Sequence, residues 1–233
     1  MNIQLAIIKG AKILQNKFTS SPFLDSEILM SKAINKDKKY ILTNSDKKIK
    51  KTNLNFFRKL IEERSKGKPV AYLTNKKYFW NSEFFVTEDT LIPRPDTELI
   101  VDNVLNLTKC KKKLNVLEFG IGSGCVIISI LKERDCFRGT GIDISKNCIK
   151  ITKINAINLK VSSRLKLYKT SVDKFALGKY DLIVSNPPYI KKHILKYLDK
   201  NVAEFEPKLA LDGGVDGLSE IRKVIKKSSE LIK

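Results

Sequence analysis

Asn115-Val-Leu-Glu-Phe-Gly-Ile-Gly-Ser-Gly124 is a short apolar strand that runs into three glycines and then into the helix-like stretch Cys125 to Lys132. Glycines at such a turn permit positive φ and let backbone N–H groups come close to a ligand. The spacing is not the G-x-G-x-x-G of a dinucleotide site. Working outward, strand patterns recur at 115 to 119, 139 to 144, 164 to 169 and 180 to 185, with helical patterns at 125 to 133 and 146 to 157 between them. This alternation predicts an α/β fold: a parallel sheet with helices on both faces and a ligand at the carboxyl ends of the strands.

The next strand, within Gly139-Thr-Gly-Ile-Asp-Ile-Ser145, places Asp143 near its carboxyl end, where an acid can grip a ribose diol. The alternative for Asp143 is a turn-forming or helix-capping acid. Glu118, just ahead of the glycines, favours a positively charged nucleoside ligand, and S-adenosylmethionine carries both a sulfonium and an ammonium.

Residues 186 to 189 read Asn-Pro-Pro-Tyr and follow the apolar run Tyr180 to Ser185. The Asn186 side-chain oxygen and the Pro187 carbonyl can both accept hydrogen bonds, and neither proline brings an N–H to compete. A planar NH2 group fits such a cup, with the Tyr189 ring against its flat face. A lone Pro-Pro would merely end a strand. Here a second motif, the glycine turn, lies upstream in the right order.

These residues, together with three further segments, resemble the HemK/PrmC protein-(glutamine-N5) methyltransferases. The added matches are Gly-Lys-Pro-Val-Ala-Tyr-Leu at 67 to 73, Leu-Ile-Pro-Arg-Pro-Asp-Thr-Glu at 91 to 98, and Phe-Glu-Pro-Lys-Leu-Ala-Leu-Asp-Gly-Gly-Val-Asp-Gly-Leu at 205 to 218. The resemblance implies a Rossmann-like class I S-adenosylmethionine-dependent methyltransferase domain at 94–233. A helical substrate-docking domain at 1–74 and a β-hairpin linker at 75–93 would precede it. It implies methyl transfer to the glutamine of the Gly-Gly-Gln tip of class I peptide-chain release factors. Asn186, Pro187 and Tyr189 would be catalytic, and Glu118, Gly120, Gly122, Gly124, Asp143 and Asn186 would bind cofactor. Pro188, Arg94, Pro95 and Glu98 would join Asn186, Pro187 and Tyr189 around the substrate, while Glu206 and Pro207 support the motif loop. Alternatives are an RNA amino-group methyltransferase, for which Asn-Pro-Pro-Tyr would also serve, and an inactive cofactor-binding interaction module.

Two departures from the family pattern stand out. An acid commonly follows the third strand to meet the adenine amino group, whereas this chain has Thr170 and Ser171 there, with Asp173 as a substitute. The family also continues past the position of Lys233 into further strands, so a truncated chain with an incomplete sheet is expected. The apolar triplet Leu182-Ile183-Val184 would suit a strand paired on both sides.

With 233 residues and 42% apolar content the chain can bury a sizeable core. No apolar run reaches membrane-spanning length and the amino terminus has no signal-peptide layout, which predicts a soluble cytoplasmic protein. Cys110, Cys125, Cys136 and Cys148 are scattered, and His193 is the only histidine, so no metal site is expected. The net charge is +20. Residues 1 to 80 hold 16 Lys and 2 Arg against 6 acids, a patch that would attract phosphates or an acidic protein surface. Only 7 of the 45 basic residues are Arg, the better reader of phosphate, so a nucleic-acid partner is not favoured and genome base bias is a competing explanation.

Helical spacing is read at 3 to 16, 25 to 35 and 52 to 66, with Asp25 or a nearby serine capping the second of these, and at 96 to 107. Tyr78 to Val86 alternates about Asn81-Ser82 as a hairpin.

Overall fold

In the computed structural model, residues 1–15, 17, 19–109 and 113–233 are described. The expected helix end at Asn16, and Cys110, lie outside them. The chain divides into two compact units, Met1–Asn75 with Asp199–Phe205, and Lys76–Leu198 with Glu206–Lys233.

The first unit is built from α1 (Ile3–Leu14), α2 (Pro22–Ile34), α3 (Lys38–Thr43), α4 (Lys51–Ser65) and α5 (Val70–Thr74). Apolar positions at helical spacing, among them Ile3, Ile7 and Leu14 of α1, Leu29 and Met30 of α2, and Phe57 and Ile61 of α4, share one core. Gly10 permits the close approach of α1 and α2, because a Cβ there would lie 2.5 Å from the Ser26 hydroxyl. That hydroxyl donates to the Ile7 carbonyl at 2.8 Å.

Helix α2 corrects the expected start at residue 25. It begins at Pro22, whose fixed φ suits a first turn and whose missing N–H costs nothing there. Asp25 is no cap. It lies in the first turn and pairs, buried, with Arg64 Nε of α4 at 2.8 Å. Arg64 also donates to the carbonyls of Gly67 and Lys68. Truncating one partner of a buried pair typically costs about 3–5 kcal/mol, so this bond ties the α2–α4 contact to one register.

The second unit opens with the antiparallel hairpin β1 (Lys76–Phe79) and β2 (Ser82–Phe85). Phe79 pairs with Ser82, so the turn is Trp80-Asn81, one residue earlier than the sequence reading, and Trp80 takes φ 43°. The hairpin, expected as a linker, is fastened within this unit. Trp80 Nε1 donates to Glu133, Lys132 to Ser82, and the Phe85 amide and carbonyl both bond to Asn155.

A single 3-10 turn at Pro95–Thr97 leads into α6 (Glu98–Leu107). Then follow β3 (Asn115–Phe119), α7 (Cys125–Glu133), β4 (Arg138–Asp143), α8 (Lys146–Asn158), β5 (Leu165–Lys169) and β6 (Leu182–Ser185). The short α9 (Lys200–Phe205) belongs to the first unit and α10 (Ser219–Leu231) to the second.

The four strands are parallel and lie in the order β5-β4-β3-β6. Side chains alternate across the sheet as the pleat requires. Val116 and Val184 join the core with α6 and α7, while Leu117 and Phe119 join the opposite one with Phe175 and Leu231. Strand order reverses at β3, next to β6, which is where an open α/β sheet leaves a crevice at its carboxyl edge. Among the described residues, β6 pairs along its length with β3 alone. On its other side, Tyr180 donates to the Leu231 carbonyl and accepts from the Lys233 amide.

Candidate active site

A cleft of about 670 Å³ opens at the carboxyl ends of the strands, lined by Gly120 and Gly122 after β3, Asp143 at the end of β4, and Asn186, Pro187 and Pro188 after β6. Three separately read motifs therefore meet in one place. The three turn glycines serve different ends. All have positive φ, but a Cβ on Gly120 or Gly122 would meet nothing within 4 Å, whereas one on Gly124 would run into Thr152 and Ile128. The first two leave room on the cleft side, and Gly124 lets α7 and α8 pack closely.

Asp143 receives two backbone N–H groups, from Gly122 at 3.0 Å and from Ser145 at 2.8 Å. Burial nevertheless pushes its carboxyl above the usual range, since desolvation of the charge outweighs those bonds. Glu118 is not among the residues that line the cleft. Only 3% exposed, it accepts from the Ile127 amide in the first turn of α7 at 3.0 Å. Burial first of all, aided by the nearby Asp143 charge, pushes Glu118 to about 8. It is thus largely protonated at neutral pH and holds the base of the turn.

Asn186 extends from β6 so that its Nδ2 donates to Thr97 Oγ1 at 3.2 Å. Among the described residues, neither Asn186 Oδ1 nor the Pro187 carbonyl receives a hydrogen bond. Tyr189 is 65% exposed and stands outside the lining. The backbone of the next residue is gripped on both sides: Ile190 donates to the Leu211 carbonyl, and Gly213 donates to the Ile190 carbonyl. A Cβ on Gly213 would lie 2.7 Å from the Tyr189 Cα, so the Gly-Gly segment is required for this grip.

The Pro-Arg-Pro-Asp-Thr-Glu segment does not deliver all its residues to the cleft. Arg94 forms an ion pair with the buried Glu206 at 2.5 Å, and Glu206 also accepts from the Ile92 amide at 3.2 Å. Glu98 accepts from the Trp80 amide at the hairpin turn at 2.8 Å. Thr170, Ser171 and Asp173 all line the cleft. His193 is exposed, and no cluster of metal-binding side chains occurs among the described residues.

Sequence reading missed the polar row on α8. Thr152 donates to the Gly122 carbonyl at 2.9 Å, and Asn155, 1% exposed, donates to the Ser123 carbonyl at 2.9 Å while bonding both ways to Phe85. The buried Cys148 donates to the Asp89 carbonyl. Spaced four and three apart, these residues put a polar stripe on the buried face of the helix. The signal was there to be read: Cys148, Thr152 and Asn155 occupy the spacing that apolar residues should hold.

Residues 6–74 match the PrmC N-terminal domain family, and residues 95–206 match the methyltransferase small domain family. A release factor glutamine methyltransferase of Buchnera aphidicola subsp. Baizongia pistaciae is 38% identical over 226 residues, covering 97% of this chain and 80% of the relative. The chain belongs to the release factor glutamine methyltransferase family. A bifunctional methyltransferase of Rickettsia bellii is 34% identical over 259 residues, and there the match takes in 100% of this chain but 47% of the relative. Among solved structures, the hMettl16 catalytic domain in complex with a 3′UTR hairpin superposes with TM-score 0.53 at 15% identity, covering 64% of this chain and 58% of that one. That likeness shows the class I methyltransferase fold. The release factor glutamine methyltransferase family accounts for both ends of the chain, the helical unit and the sheet unit together.

Proposed function

We propose that this chain transfers a methyl group from S-adenosylmethionine to the side-chain amide nitrogen of the glutamine in the Gly-Gly-Gln tip of class I release factors. The observation that carries the proposal is the pair of unpartnered acceptors, Asn186 Oδ1 and the Pro187 carbonyl, beside a turn with open space over Gly120 and Gly122.

The residues present fit the cofactor. Asp143 offers a carboxylate to ribose hydroxyls, and the glycine turn admits close backbone approach. When bound, S-adenosylmethionine supplies an electrophilic methyl group on a sulfonium.

An amide nitrogen is a weak nucleophile because its lone pair is shared with the carbonyl. Asn186 Oδ1 and the Pro187 carbonyl accept its two hydrogens and turn the lone pair toward the methyl donor, easing pyramidalisation as the bond forms. Catalysis is by positioning and by preorganised dipoles. No side chain in the lining is assigned as general base, and the methylated nitrogen sheds its proton after transfer. Tyr189, being exposed, is free to close over the flat face of the substrate amide.

Arg94 and Glu98 act at a remove. Arg94 braces Glu206 and the loop after it, and Glu98 fixes the hairpin turn. The helical unit, with its lysine excess, is the docking surface for the release factor in the cytoplasm, where long-range attraction to acidic surface speeds encounter. No helix among the described residues is long and apolar enough to cross a membrane.

The test is a competition for label. With labelled S-adenosylmethionine, a class I release factor and bulk RNA in one mixture, the release factor takes the methyl group. Label in RNA, or in neither, contradicts the proposal.

A further inference from the structure

We infer that Thr97 is a positioning residue that sets which face of the Asn186 amide meets the substrate. This inference rests on the functional reading above and assigns a role to a side chain in the segment 91 to 98 that the reading leaves without one.

Thr97 ends the 3-10 turn Pro95–Thr97 and its amide donates to the Arg94 carbonyl at 3.0 Å. It is 9% exposed, so its hydroxyl is held against the protein interior. Asn186 lies 89 residues away in sequence, yet its Nδ2 donates to Thr97 Oγ1 at 3.2 Å. A primary amide is nearly symmetric in shape and opposite in chemistry at its two ends, a donor on one side and an acceptor on the other. In the observed arrangement Thr97 Oγ1 is the acceptor, and with Nδ2 held there Oδ1 is the end that faces the cleft.

Without that hydroxyl, rotation about the terminal Asn186 torsion costs little, because torsions of this kind are broad and twofold. The rotated amide would present N–H groups to the N–H groups of an incoming glutamine amide. Donor would meet donor, and that fraction of enzyme would be unable to orient the nucleophile. The anchoring runs further back, since the Arg94 that holds the Thr97 turn is itself paired with buried Glu206. The same segment thus links the loop after residue 205 to the orientation of one amide in the cleft.

The prediction sorts variants by hydroxyl and not by size. Thr97→Val keeps the shape and removes the acceptor, Thr97→Ala removes it with less bulk, and Thr97→Ser keeps it. With a class I release factor and S-adenosylmethionine, Thr97→Val and Thr97→Ala should each lower kcat about tenfold, the scale of one neutral hydrogen bond. The KM for release factor and the Kd for cofactor, by calorimetry, should stay close to wild type. Thr97→Ser should restore most of kcat. A purely structural role would move melting temperature and cofactor affinity together, and would rank Ser with Ala.

Asn186→Ala is measured alongside as the control for the parent reading. If Asn186→Ala is inactive while Thr97→Val and Thr97→Ala turn over like wild type, the assignment of Thr97 is wrong and the functional reading stands. If Asn186→Ala itself keeps full turnover, both fall. If Val fails to fold, the Ala and Ser pair decides between the same outcomes.

Discussion

Asp143 and Gly122, 21 residues apart, are joined by a hydrogen bond of 3.0 Å from the glycine amide to the carboxylate. The acid at the end of β4 is thereby part of the turn that follows β3, and neither adopts its position alone. Asp143 also accepts from Ser145 at the start of α8, so one side chain fastens two strand ends.

Removing it should have two measurable effects. Asp143→Ala should weaken S-adenosylmethionine binding by about 1.5 to 3 kcal/mol, the range for hydrogen bonds to a charged group. It should also lower the melting temperature of the cofactor-free protein, because two backbone donors lose their acceptor. Calorimetric titration and thermal melts give both numbers. An unchanged Kd with a lowered melting temperature would leave Asp143 as a brace for the turn only.

The glycines of the turn can be separated by their surroundings. Gly122 and Gly124 both have positive φ, at 55° and 80°, so a side chain at either carries a similar backbone strain of roughly 1–2 kcal/mol. They differ in that a Cβ at Gly122 meets nothing, while one at Gly124 meets Thr152 and Ile128 at 2.7 and 2.8 Å. Gly122→Val should cost cofactor affinity far more than Gly124→Val does for each degree of melting temperature lost. Equal ratios would mean that the space over Gly122 is not where the ligand lies.

Glu118 carries a pH dependence whose sign follows from its burial. Its carboxyl is raised from 4.5 to about 8, so the folded state favours the neutral acid. The stability that comes from keeping this group neutral is fully present below about pH 4.5 and is lost as pH rises through about 8. Glu118→Gln, which keeps an oxygen for the Ile127 amide, should melt closer to wild type at pH 6 and become the more stable of the two at pH 9. Asp143 is raised in the same direction and remains in both proteins, so it does not account for the difference. Parallel melting curves across that range would show that Glu118 is ionised throughout.

The sheet was legible because its signals are local. An apolar strand, three glycines and a helix are contiguous in 115 to 133, and the observed β3 and α7 bounds coincide with that reading. The turn of the hairpin was misplaced by one residue because Asn and Ser are ordinary turn formers, whereas Trp80 adopts positive φ only with its amide held by Glu98 and its indole by Glu133. The supports of the site were harder still. Thr97, Thr152 and Asn155 are short polar residues whose partners lie 89, 30 and 32 to 70 positions away. Their neighbours do not name those partners, although on α8 the spacing of Thr152 and Asn155 already marks a buried face. Arg94 and Glu98 stand in a distinctive motif, yet the partners they hold, the buried Glu206 and the Trp80 amide, lie 112 and 18 residues away and are not named by it.

The central claim is that Asn186 orients the attacked amide and leaves cofactor binding to the turn after β3. The most direct measurement is Asn186→Ala followed by two readouts on the same preparation, turnover on a class I release factor and Kd for S-adenosylmethionine. Loss of one preorganised donor or acceptor at a reacting centre is worth about 10²- to 10³-fold in rate, so kcat should fall by that much while Kd stays within a few-fold. Equal losses in kcat and cofactor affinity, or wild-type turnover, would contradict the account.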